Sequence, residues 1–199
     1  MMEALMFEAI LIAMLIAKIK GYKLKPLFKT WTVYPVFVLE LVHLSFQVTI
    51  FMGNYDFVQY ASILKRVYLF MFLIPIIVYR EYLSGLIGSA LIFIGSIMNN
   101  FVMAQNGGKM PVFPNFSYIT GYVSDDALAK IKGIHILGTT QSKWWILSDI
   151  IDVGWSVLSI GDLFIHTFAL LIIYQTIKVL NMRLRECPIL HIDNVSNEQ

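Results

Sequence analysis

The chain has 199 residues, of which 58% are hydrophobic and only 14% are charged, and its mean hydropathy is +0.70. This balance excludes an ordinary soluble domain and predicts a protein that uses lipid as its solvent. A net charge of +2 does not indicate a nucleic-acid partner, and the single cysteine, Cys187, excludes an intrachain disulfide and a cysteine-based zinc site.

The first elements to be predicted are transmembrane helices. Crossing the hydrocarbon core takes about 20 mainly apolar residues, and five segments are long enough or nearly so: residues 4–19, 31–52, 57–79, 82–103 and 155–177. They do not alternate in polarity as the strands of a membrane barrel would. The first lacks the basic start and cleavage site of a signal peptide, so we expect a retained helix. The predicted fold is an all-α integral membrane helical bundle, with residues 1–186 as a single transmembrane domain.

The basic residues predict how the bundle is oriented. Five lysines and no acidic residue lie in the first connection, Arg80 lies in the third, and three basic residues follow the fifth span. Because basic connections stay in the cytoplasm, we expect the N-terminus outside and the C-terminal tail, residues 187–199, inside. The long connection, residues 104–154, is then an extracytoplasmic loop.

This long loop is predicted to have structure of its own. Asn106-Gly107-Gly108 predicts a tight turn with positive φ, and residues 124–133 predict a short helix with Ser124 as N-cap and Gly133 as C-cap. A short re-entrant or surface helix is expected over residues 146–153. Helix signals in a loop of this length favour a functional role over disorder.

Small residues on the fourth span predict that another helix approaches it closely; they are Gly85, Gly88, Ser89, Gly95 and Ser96.

An intramembrane polar network is predicted around the second span. Glu40, His43 and Gln47 share one face of that helix. Lys65 and Arg66 reach a similar depth on the third span, which predicts an ion pair with Glu40 or His43, with a proton relay or substrate binding as alternatives. Glu40-x-x-His43 also has a di-metal spacing. The other helices lack the remaining ligands, so we expect no metal and no other cofactor.

A second polar level lies near the outer ends of the helices. Glu8, Asn99, Asn100, Asp162 and His166 fall at this level with Gln47, and Asp162 and His166 share a helix face because they are four residues apart. Polar groups from several elements at one depth predict a pocket open to the outside. The candidate substrate-binding residues are Asn99, Asn100, Asn106, Lys109 and His166.

Asp149 and Asp162 are the candidate catalytic residues. One precedes the last span and the other lies in its first turns, so both are expected near the same membrane surface. A carboxyl pair can activate water with one member and protonate the leaving group with the other, because repulsion and burial separate their pKa values. This is the chemistry of an aspartic-type hydrolase.

Two families resemble parts of the chain. The segment from Ser148 to Asp152 and Ser159-Ile160-Gly161-Asp162 resemble the two catalytic segments of lipoprotein signal peptidase (signal peptidase II), which implies Asp149 and Asp162 as a catalytic pair. Asn106-Gly107-Gly108-Lys109-Met110-Pro111-Val112 together with Ser159-Ile160-Gly161-Asp162 is similar to a family of small multi-pass membrane proteins of clostridia and related bacteria that has no established activity. This likeness implies a bacterial cytoplasmic membrane.

Three functions remain open at this point. The first is a membrane-embedded aspartic-type peptidase that acts on a membrane-linked peptide or a lipid-linked substrate. The second is a small-solute or proton-linked binding or transport module, which would need a homo-oligomer or a partner. The third is an accessory membrane subunit that docks another membrane protein through its small-residue faces. Membrane lipid is the expected surrounding in each case.

Overall fold

The computed structural model describes residues 6–54, 56–124 and 134–195, and these residues are mainly helical. The helices are α1 (Phe7–Ile19), α2 (Tyr34–Phe51), α3 (Ala61–Met71), α4 (Leu73–Tyr79), α5 (Tyr82–Gln105), α6 (Phe116–Ile119) and α7 (Ile160–Val195). Four short strands lie between α5 and α7, namely β1 (Met110–Val112), β2 (His135–Leu137), β3 (Ile151–Asp152) and β4 (Val157–Leu158). The all-α prediction therefore does not hold for the long loop.

Among the described residues, three helical segments are long and apolar enough to cross a membrane: Trp31–Phe51, Tyr82–Gln105 and Ile160–Arg185. They coincide with the second, fourth and fifth predicted spans. As described, α1 has 13 residues, which at 1.5 Å per residue is less than the thickness of the hydrocarbon core. The third predicted span is divided into α3 and α4. Pro75 has no N–H to donate to the carbonyl of Met71, so α3 ends at that residue.

Helix α7 is the centre of the bundle and packs along both α1 and α5. A Cβ atom on Gly88 of α5 would overlap the Phe168 ring, and one on Gly95 would overlap the backbone carbonyl of Gly161. These two glycines allow close helix contact, as the sequence predicts. Farther from the loop, the rings of Phe72 and Phe168 meet edge to face, with centroids 5.2 Å apart, inside the main apolar core.

The described residues between α5 and α7 form a small structured unit, here called the cap. Strand β1 pairs in parallel with β2, and β3 pairs antiparallel with β4. Gly107 and Gly108 have φ of 67° and 80°, which confirms the predicted turn. The helix predicted after Ser124 lies outside the described residues.

The helix predicted over residues 146–153 is wrong. A single 3₁₀ turn, Trp145–Leu147, is followed by extended chain that pairs with β1 at Asp149 and then forms β3. Ile150, Ile151 and Val153 are β-branched and fit a pleated surface better than a helix. Gly154, with φ of 91°, then reverses the chain into β4.

Candidate functional site

A polar cavity lies where the cap meets α3, α5 and α7. Its volume is about 210 Å³, and the ionisable and amide side chains that line it are Lys65, Asn99, Asn100, His135, Asp149 and Asp162. Sites for drug-sized ligands usually measure about 300–1,000 Å³, so this cavity suits one small polar group. Four of these six side chains, Asn99, Asn100, Asp149 and Asp162, are among the candidate catalytic and substrate-binding residues predicted from the sequence.

Asp162 is held by the first turn of α7. Its Oδ2 accepts hydrogen bonds from the backbone N–H of Ser159 at 3.0 Å and from the Ser159 hydroxyl at 2.8 Å, while its own N–H donates to Ser159 Oγ at 3.0 Å. This reciprocal pattern is a capping box. The Ser-Ile-Gly-Asp segment therefore has a structural role as the start of α7, whatever else it does.

The second oxygen of Asp162 faces the cavity. Asn99 Nδ2 donates to Asp162 Oδ1 at 3.2 Å, and Lys65 Nζ lies 3.8 Å from the same oxygen. Ser159 Oγ also lies 2.8 Å from Asn99 Oδ1, and since a hydroxyl has one hydrogen, it donates to either Asn99 or Asp162 at a given time. Asp162 is thus surrounded by hydrogen-bond donors and one lysine side chain.

Asn99 reaches Asp162 because two glycines let the helices meet. A Cβ on Gly161 would lie 2.6 Å from the carbonyl oxygen of Gly95 and would overlap Asn99 Oδ1. Any larger residue at position 161 would push α5 away from α7 at the level of the cavity.

Asp149 is positioned by the cap. Its backbone N–H donates to Pro111 O at 3.1 Å, and its carbonyl accepts from Phe113 N at 2.9 Å, so this residue lies beside β1. The side chain is only 4% exposed, and Oδ2 is 3.6 Å from His135 Nε2. Strand β2 carries His135 on the other edge of β1. The two candidate aspartates thus reach one cavity from different elements.

His135 is neutral at physiological pH. Burial, with a smaller contribution from nearby positive charge that includes Lys65, lowers the pKa of His135 to about 3 despite the opposing effect of Asp162. The contact between His135 and Asp149 is therefore not an ion pair at pH 7. Within the described part of the chain, no three His, Cys, Asp or Glu side chains are grouped closely enough to hold a metal ion.

The other predicted binding residues lie away from this cavity. Asn106 links α5 to the cap, with its side chain bonded to both backbone groups of Lys143 at 2.9 Å. Lys109 is exposed on the same turn. His166 is buried one turn farther along α7 than Asp162 and is not among the residues that line the cavity.

The predicted polar face of α2 is present, but within the described residues the acidic partner of Lys65 is Asp162 and not Glu40. Glu40, His43 and Gln47 are all buried, and Gln47 Nε2 donates to the carbonyl of Trp155. Both carboxyl oxygens of Glu40 are buried, and this carboxyl group faces the Tyr68 side chain. Lys65 instead contacts Asp162, because α3 turns that side chain toward α7.

Glu8 and Arg66 complete the predicted network and lie in different places. Glu8 Oε1 accepts a hydrogen bond from Trp155 Nε1 at 2.8 Å. Arg66 is exposed and lines an apolar groove.

The reasoning from sequence missed the parts that two residues play at this site, His135 in the cavity lining and Ser159 beside Asp162. His135 lies in a short apolar run with no local signal, and only the parallel pairing of β2 with β1 brings it to Asp149. Ser159 was treated as part of a peptidase-like motif, although its spacing to Asp162 is also that of a capping box, [ST]-x-x-[DE]. That second signal was readable from the sequence.

Long apolar helices with a polar cavity beneath a small cap define an α-helical membrane protein. The model of a family of unknown function, DUF5317, matches residues 24–174, and the chain belongs to this family. The match includes every residue that lines the cavity. No curated protein and no solved structure is significantly similar to the chain.

Proposed function

We propose that this protein is a membrane-embedded hydrolase of the aspartic type, which acts on a membrane-linked substrate at the outer face of a bacterial cytoplasmic membrane. Asp149 and Asp162 would be its two carboxyl groups. The observation that carries the proposal is that both line one small polar cavity, although they are 13 residues apart and lie on different elements.

The surroundings of the two carboxyl groups differ in the way that such a mechanism requires. Asp162 contacts one lysine and hydrogen-bond donors from Asn99 and Ser159, and this arrangement suits the general base. Asp149 is buried beside a neutral imidazole, and burial disfavours a charge. This suits the general acid.

In the proposed reaction, Asp162 takes a proton from a water molecule as the water oxygen attacks the substrate carbonyl carbon. Asp149 then gives its proton to the leaving group as the bond from carbon to that group breaks. The net change is the addition of one water molecule across the bond. Asn99 and Asn100 would donate hydrogen bonds to the substrate carbonyl oxygen, which becomes negatively charged during the attack.

The test compares Asp149→Asn and Asp162→Asn with the wild-type protein. Purified proteins in lipid nanodiscs are incubated with a panel of lipid-anchored fluorogenic peptides, and cleavage is followed by fluorescence. We expect each variant to lose at least about 10²-fold in rate, the size of a typical acid–base contribution. Equal cleavage by both variants and the wild type would end the hydrolase proposal.

Two controls separate chemistry from structure. Asp56→Asn removes an exposed carboxylate that is not among the residues lining the cavity, and this variant should cleave at the wild-type rate. Ser159→Ala removes the hydroxyl of the capping box but leaves both carboxyl groups. It should lower the melting temperature through the lost cap and still cleave measurably, unlike the two aspartate variants.

A binding module is the second candidate, supported by the ion-paired Asp162 and by the small size of the cavity. It would bind a small polar solute in the nanodisc assay without cleaving any peptide. The accessory-subunit alternative loses part of its support, because Gly88 and Gly95 are already occupied by Phe168 and Gly161 of the same chain.

A further inference from the structure

A second cavity, here called the groove, opens between α3, α4, α5 and α7. Its volume is also about 210 Å³, and its lining is almost entirely apolar. Leu69, Leu73, Ile76, Ile92 and Phe168 form its walls, and Arg66 lies at the end nearest the cap. Gly88 shapes one wall, because only a glycine leaves room there for the Phe168 ring.

The groove continues the polar cavity along the same three helices. On α3, Lys65 lines the cavity and Leu69, four residues later, lines the groove. Side chains four residues apart lie on one helix face, so a single face of α3 lines both the cavity and the groove.

The same passage occurs on α5 and α7. On α5, Ser96 lines the cavity and Ile92 the groove, and on α7 the corresponding pair is Ile165 and Phe168. These pairs are four and three residues apart and also share a face. The two spaces therefore follow the same helix faces, and together they are here called the seam, which is polar beneath the cap and apolar deeper in the bundle.

The walls of the groove and the charge at its end indicate which kind of molecule it binds in a bilayer. Apolar walls do not hold water, and the groove lies within the apolar helices, so hydrocarbon is its natural occupant. Arg66 places a guanidinium group at the cap end, beside the cavity residue Lys65. A guanidinium group pairs well with phosphate or carboxylate.

Resting on the proposed hydrolase function, we propose that the substrate is an acylated anionic molecule. Its acyl chain lies in the groove, its anionic group lies at Arg66, and its polar end reaches Asp149 and Asp162. Binding of the acyl chain in the groove then holds the reacting group of the substrate at the depth of the cavity. Enzymes commonly use binding energy from remote parts of a substrate to position its reacting atoms.

The test measures lipid retention by native mass spectrometry of the purified protein, released from micelles that contain phosphatidylglycerol or phosphatidylcholine with identical acyl chains. Ser89→Phe places a ring in the groove, and Leu86→Phe places one on an exposed, lipid-facing position of α5 outside the groove lining. We expect Ser89→Phe to lower retention of both lipids, and Leu86→Phe to match the wild type.

The charge is tested separately, so that a folding defect in one variant does not decide the result. Arg66→Gln should lower retention of phosphatidylglycerol about fivefold, which corresponds to one basic residue near a membrane surface, and leave phosphatidylcholine unchanged. Arg185→Gln, near the far end of α7, is the matched control. Equal retention of both lipids by Ser89→Phe and Leu86→Phe, or of phosphatidylglycerol by the two arginine variants, would overturn the proposal.

Failure of this proposal and failure of the hydrolase proposal give different results. If Asp149→Asn and Asp162→Asn lose cleavage but the groove variants retain lipid normally, the hydrolase stands and its acylated substrate is wrong. If the groove variants lose lipid but the aspartate variants cleave normally, the lipid site stands and the hydrolase is wrong.

Discussion

Gly161→Ala should separate α7 from α5 at the cavity. The new Cβ would lie 2.6 Å from the carbonyl oxygen of Gly95 and would overlap Asn99 Oδ1. A backbone carbonyl cannot swing aside as the tip of a side chain can, so the helices must move apart. This displacement would also lengthen the hydrogen bond from Asn99 to Asp162.

Three effects set the size of the change. Overpacking costs about 1–3 kcal/mol, and the loss of a hydrogen bond to a charged group adds about 1.5–3 kcal/mol. Alanine offsets up to about 1 kcal/mol through its better helix propensity. We therefore expect a net loss of about 1.5–6 kcal/mol, or a melting temperature lower by about 3–24 °C for a chain of this length.

Thermal unfolding in detergent, followed by tryptophan fluorescence, measures this loss, because Trp144, Trp145 and Trp155 all lie in the cap. Gly85→Ala is the matched control, since its Cβ would meet only the flexible Ile76 side chain, at 3.1 Å. The control should melt within a few degrees of the wild type. If Gly161→Ala melted together with the control, the close approach of Gly95 and Gly161 would not hold the cavity together.

Two further predictions concern the cap and pH. Burial raises the pKa of Asp152, but hydrogen bonds from Ser117, Gly154 and Asn115 outweigh it and leave the pKa below its usual range. Asp152→Asn should therefore cost about 1–3 kcal/mol at pH 7. In thermal melts this cost should shrink as the pH falls below about 4, because the carboxyl group of the unfolded chain takes up a proton there, and it should vanish only below the lower pKa of the folded protein. Because His135 has a folded pKa of about 3 and an unfolded value of 6.5, the unfolded chain binds the extra proton between these values. Acidification from pH 6.5 to 4.5 should therefore lower the free energy of unfolding of the wild type by about 2–3 kcal/mol through this group. If the melting temperature of His135→Asn fell as steeply over this pH range as that of the wild type, the lowered pKa of His135 would be contradicted.

The apolar spans and the two aspartates could be read directly from the chain. Twenty apolar residues in a row have few alternatives to crossing a bilayer, and the predicted segments agree with the three continuous apolar helices. Asp149, Asp162, Asn99 and Asn100 were selected because polar groups near the ends of spans are costly unless they serve a purpose, and all four line one cavity.

The tertiary structure decided which side chains from distant parts of the chain come into contact, and helical periodicity in the sequence cannot show this. The cap strands pair over long separations, so nothing local indicated that His135 would lie beside Asp149. Lys65 was predicted to meet Glu40 from depth alone, but the rotation of α3 directs it to Asp162. Composition and hydrophobicity determine which segments enter the membrane, because transfer into lipid depends on each segment separately. Which side chains meet depends on how the helices rotate and how closely they approach, and that is a property of the packed molecule.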